Sequence, residues 1–71
     1  MGLRMDRVIR NQKNQRYLSA AGEWVRDVAC AQTFFFADDA RQFCIDHGIL
    51  SDVEGVLLCG TFESEFALFG K

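Results

Sequence analysis

Hydrophobic and polar positions change rhythm along this chain, and each change marks a predicted element. Tyr17-Leu18-Ser19 suits a short strand, and Ala20-Ala21-Gly22-Glu23 offers a turn. Trp24-Val25 begins a return strand, so residues 16–28 read as a hairpin. Ala29 to Gln32 then connects to Thr33-Phe34-Phe35-Phe36. There the period lengthens. Ala40, Phe43, Cys44 and His47 recur at i, i+3, i+4 and i+7, which places them on one face of a helix. Arg41, Gln42 and Asp46 point elsewhere. Asp38 and Asp39 fall in the first turn, where a carboxylate favours the positive end of the helix dipole or caps an exposed N–H. Gly48 is placed to stop the helix, with Ile49 as the contact beyond it.

The C-terminal third holds two apolar runs, Val56 to Cys59 and Phe66 to Phe69. Both are predicted strands, joined by a hairpin around residues 60–64. Alternation puts Val56 and Leu58 on one side and Leu57 and Cys59 on the other. Phe66 and Leu68 oppose Ala67 and Phe69 in the same way. Both faces are therefore apolar. One helix covers only one face of a small sheet, and the second face calls for a second layer. A second subunit would supply it, since two-fold dimers are the commonest soluble assembly. Phe35, Leu57, Cys59 and Phe69 are the candidate interface residues. The run Phe34-Phe35-Phe36 is assigned to the core or to that interface, because large exposed apolar patches are uncommon on monomers. Phe34 would lie beneath the helix and Phe36 near its start.

The expected fold class is α+β: a small antiparallel sheet of about four strands, β-β-α-β-β, with one helix packed on one face. Trp24, Phe34, Ala40, Phe43, Cys44, Leu58 and Phe66 are expected to supply much of the core.

Charge divides the chain differently. Residues 1–16 hold Arg4, Arg7, Arg10, Lys13 and Arg16 against Asp6, a net of +4. Residues 17–71 hold three cations against nine acids, a net of −6. The expected organisation is a basic N-terminal arm, 1–16, followed by a single small α+β domain, 17–71. Within the arm, Leu3, Met5, Val8 and Ile9 would support a short helix or an added strand, and Asn11 to Gln15 reads as a loop. The five cations are candidate nucleic-acid contacts, with Tyr17 and Trp24 available for stacking. The acidic body opposes that use, and so does an isoelectric point near 5.1.

The middle of the chain carries a pattern: Tyr17-Leu18, then Gly22-x-Trp24, then Ala31-x-x-Phe34, then Ala40 at the front of a helix. It resembles small bacterial and phage-encoded proteins of unknown function, in which a Gly-x-Trp hairpin runs into Ala-x-x-Phe and an Asp/Glu-Ala helix. The resemblance covers residues 17–47. It implies strand, strand, helix, and it carries no catalytic residues to transfer.

Catalytic and metal chemistry find little footing. Cys44-x-x-His47 is a single close ligand pair, and Cys30 and Cys59 stand apart, whereas structural zinc sites usually show two close pairs. The same two residues as nucleophile and base would lack an orienting group and an oxyanion site. The glycines are isolated, so no phosphate loop or dinucleotide fingerprint is present. No catalytic residue, metal or cofactor is assigned. The three cysteines form an odd, scattered set, which fits reduced thiols in the cytoplasm. No apolar run approaches the ~18 residues of a membrane span. A 71-residue domain with 49% hydrophobic residues builds a core yet remains marginal alone. The sequence thus points to a non-enzymatic, homodimeric interaction or adaptor module. The alternative is a weak nucleic-acid binder that uses its basic arm.

Overall fold

The structure, a computed structural model, describes residues 5–59 and 62–69. Among the described residues, five strands and one α-helix form a small α+β fold. The strands are β1 (Met5–Asn11), β2 (Tyr17–Leu18), β3 (Trp24–Val25), β4 (Val53–Cys59) and β5 (Phe62–Phe66), and the helix is α1 (Ala37–Asp46). A single antiparallel sheet runs β3-β2-β1-β4-β5. Among the described residues, no helix is long and apolar enough to cross a membrane.

The strand count and order differ from the expectation, and the main reason lies in the segment set apart as a basic arm. Met5–Asn11 is the middle strand of the sheet. It pairs with β4 along its whole length, from Met5 opposite Cys59 to Asn11 opposite Val53. Val8 and Ile9 lie side by side at its centre and are both fully buried, one on each face. The polar stretch after it is a loop, as expected. Asn11 Oδ1 accepts from the backbone N–H of Lys13 at 2.8 Å and of Asn14 at 3.3 Å. The chain then returns through Arg10 opposite Tyr17.

The β2–β3 hairpin forms where the sequence places it, with Leu18 opposite Trp24. The Gly22 N–H closes its turn on the Ser19 carbonyl at 2.9 Å. A short 3₁₀ turn (Val28–Cys30) follows, capped by Asp27. Gln32 N–H bonds the Leu18 carbonyl at 2.9 Å and brings Phe34 alongside β1. Phe34 and Arg7 exchange two backbone hydrogen bonds, 2.8 and 3.1 Å.

Helix α1 begins at Phe36, whose side chain supplies no cap, with Asp38 and Asp39 in the first turn. These aspartates act through the dipole and not as caps. Its end is a Schellman motif. Ile49 N–H reaches the Cys44 carbonyl at 2.8 Å and Gly48 N–H reaches that of Ile45 at 3.1 Å. Gly48 sits at φ +70°, which a residue with a Cβ adopts only under strain.

The core lies between α1 and one face of the sheet. Ile9, Leu18, Ala40, Cys44, Val53 and Leu68 form it, and Trp24, Phe34, Phe43, Ile49, Phe66 and Phe69 pack against it. Leu58 is a correction. It pairs with Asp6 and Glu63 and therefore lies on the opposite, open face. The last strand is a second correction. It spans Phe62–Phe66, not Phe66–Phe69. The chain leaves the sheet after Phe66, and Leu68 folds back into the core, 5% exposed. The bend expected at Gly60-Thr61 lies outside the described residues. With this register the open face of β5 carries Glu63 and Glu65. The helix face of the sheet is thus mainly apolar, with Arg7 and Ser64 as exceptions, and the open face is mixed, so two equally apolar faces no longer argue for a second layer.

Candidate functional site

The four described arm cations, Arg7, Arg10, Lys13 and Arg16, have separate surroundings. Arg4 lies outside the described residues. Arg10 is 8% exposed and points to the open face. There its Nε donates to Glu54 Oε2 at 2.7 Å. Its terminal nitrogens bond Glu65 Oε2 and lie 4.0 Å from Glu63 Oε1. The cluster joins the three strands β1, β4 and β5. Burial alone would lower the guanidinium pKa, but the hydrogen bonds it donates to Glu54, Tyr17 and Glu65 outweigh this and raise the value. Arg10 is therefore engaged by carboxylates and offers nothing to a phosphate, which corrects its candidacy as a nucleic-acid contact. Arg7 Nη1 donates to the Phe35 carbonyl at 2.5 Å. Lys13 stands 3.5 Å from Asp52, both well exposed. Such a pair contributes little. Arg16 is half-buried, and its carbonyl accepts from Asn11 N–H at 2.7 Å.

The candidate interface residues fall in two places. Arg7 has Phe34 on one side of it and Leu57 on the other, and the pairing of β1 with β4 runs on to Met5 opposite Cys59 at the end of the sheet. Leu57 and Cys59 lie on the helix face and are partly exposed. Phe62, opposite Cys59, is 69% exposed. Phe35 and Phe36 leave the sheet at this end. They stand edge to face, 4.7 Å between centroids. They are 73% and 60% exposed. Only Phe34 of the triple run enters the interior, edge-on to Phe43 at 5.3 Å. The structure thus brings Phe35, Leu57 and Cys59 to one end. Phe69 sits apart, against the core beside Val53.

The thiols and the histidine are scattered. Cys30 is exposed, Cys44 buried and Cys59 half-buried, all free. Burial pushes the Cys44 thiol up to about 11. His47 turns away from it. Its ring stacks on Phe43 at 4.2 Å, and Nδ1–H donates to the Phe43 carbonyl at 3.0 Å. Among the described residues no three of the His, Cys, Asp and Glu side chains gather closely enough to hold a metal ion.

One open cleft of about 290 Å³ lies at the C-terminal end of β5. Gln12, Val53, Glu54, Glu65, Phe66, Ala67 and Phe69 line it. The sequence reading missed Glu54, Glu63, Glu65 and Phe62. The period-two run Phe-Glu-Ser-Glu-Phe, residues 62–66, carried the signal for the last three. Comparison with known protein families, with curated proteins and with solved structures finds no match.

Proposed function

We propose that this chain is a non-enzymatic interaction module that works as a homodimer through its aromatic end. The observation that supports this is the exposure of Phe35, Phe36 and Phe62 at one end of a very small domain. Burying one such ring contributes on the order of 1–2 kcal/mol, and a two-fold axis buries two copies of each ring, one from each subunit. Partly exposed Leu57 and Cys59 extend the same surface. The alternative, nucleic-acid binding through the N-terminal cations, is weakened by the burial of Arg10 among three glutamates.

Light scattering after gel filtration, across a dilution series, tests the dimer. The wild-type chain is expected at twice its monomer mass down to micromolar concentration. The double variant Phe35→Ser, Phe36→Ser is expected to dissociate at least tenfold more readily while keeping its far-ultraviolet circular dichroism. A wild-type monomer at every concentration overturns the reading.

A further inference from the structure

We infer that the outer edge of β5 binds an extended segment of another protein in which basic and apolar residues alternate. That segment would add a sixth strand, with one lysine or arginine seated in the cleft between Glu54 and Glu65.

β5 ends the sheet, and among the described residues it pairs with β4 alone. Half of its backbone N–H and C=O groups therefore face outward, a template for a further strand. Its side chains alternate: Phe62, Ser64 and Phe66 on the helix face, Glu63 and Glu65 on the open face. The glutamates are 54% and 62% exposed. With Glu54 they set three negative charges against the single positive charge of Arg10.

A second copy of this chain does not suit the edge. Two β5 strands related by a two-fold axis must match residues that share a face. Every antiparallel register of that kind that pairs at least three residues of the strand, Phe62–Phe66, sets a glutamate opposite a glutamate. Like charges directly opposite destabilise a pair. A strand with lysine or arginine at those positions reverses the sign and meets Phe62 and Phe66 with its apolar side.

The cleft supplies the specific seat. Arg10 bonds Oε2 of Glu54 and Oε2 of Glu65, and among the described residues no hydrogen bond engages the Oε1 of either carboxylate. Phe66 and Phe69 are among the residues that line the same cleft. A long basic side chain brings its charged head to the carboxylates while its methylenes cover apolar surface beside them. Phe62 belongs to both surfaces, but Phe35 and Phe36 lie outside β5, so the Phe35→Ser, Phe36→Ser variant separates this site from the proposed dimer surface.

Fluorescence polarisation with labelled synthetic peptides and the full-length chain tests the inference. An eight-residue alternating Lys-Val peptide is expected to bind saturably. It should bind at least tenfold tighter than a Glu-Val peptide or a peptide with four lysines followed by four valines. Backbone N-methylation of one alternate set of residues should abolish binding, and methylation of the other set should spare it. The double variant Glu63→Gln, Glu65→Gln should weaken binding at least tenfold, and the Phe35→Ser, Phe36→Ser variant should leave it unchanged. Absence of saturable binding overturns the inference. So does equal binding of the blocked peptide, which would reduce the effect to charge attraction. Equal binding of both methylated peptides would exclude strand addition and overturn it as well. The peptide comparisons use the wild-type chain, so they decide the question even where a glutamine variant folds poorly.

Discussion

Two buried residues hold opposite electrostatic lessons. Arg10 keeps its charge inside the fold because Glu54, Glu63 and Glu65 surround it and Tyr17 adds a hydrogen bond. A buried ion set of this kind adds less to stability than to geometry, since desolvation offsets much of the attraction. What it specifies is that β1, β4 and β5 share one register. Cys44 instead is buried without a charge partner. Its thiol is raised from an ordinary 9.0 to about 11 by burial. The folded state thus prefers the protonated thiol, while the unfolded chain releases its proton near pH 9. Stability from this group is complete below that pH and is lost as pH rises through about 11. The loss by pH 10.5 is about 2 kcal/mol. Cys44→Ala should cost about 1 kcal/mol at neutral pH through lost packing. It should also unfold with a shallower alkaline decline in urea titrations at pH 8 and pH 10.5. Equal declines for the two proteins would remove Cys44 from the account.

The elements differ in how far local signals define them. Helix α1 was legible because its evidence is local: one apolar face, and a glycine followed by a contact residue at its end. The β2–β3 hairpin was legible for the same reason. β5 was misplaced because the aromatic run from Phe66 to Phe69 outweighed the cleaner alternation just before it. What holds β5 in place is also non-local. Gly55 on β4 lies opposite Phe66, and a Cβ there would come 2.2 Å from the ring. The backbone of Gly55 is ordinary, so the need is for space. Gly55→Ala should cost about 1–3 kcal/mol by overpacking. Phe66→Ala should cost roughly 2 kcal/mol by lost burial. The double variant should fall short of their sum by at least about 1 kcal/mol, because the clash vanishes with the ring. Additive costs in thermal unfolding would mean that the ring does not rest on Gly55.

At the scale of the whole molecule, the charge asymmetry that seemed to divide arm from body does not follow the fold. Arg7 and Arg10 sit inside the middle strand, one tied to a backbone carbonyl and one buried among glutamates. A charge count along the chain could not distinguish a solvated cation from one matched across a sheet, since Glu54 and Glu65 stand 44 and 55 residues away from Arg10. The adjacent pair Val8-Ile9 was the one local hint of a strand buried on both faces. Removing residues 1–11 should therefore abolish folding instead of trimming a tail. Circular dichroism and a melting curve should show no cooperative transition, and a truncated chain that still melts cooperatively would contradict the central place of β1. The same topology orders events in time. The first strand made waits for the fourth, because Met5 meets Cys59 and Asn11 meets Val53. Synthesis at ~5–20 residues per second leaves Val8 and Ile9 without their main partner for seconds. Closing so long a loop also precedes most of the packing that rewards it, which slows folding relative to a chain of successive hairpins. During that interval the nascent chain exposes a β-branched segment flanked by arginines, and those charges guard it against association with its neighbours before they are claimed by the glutamates.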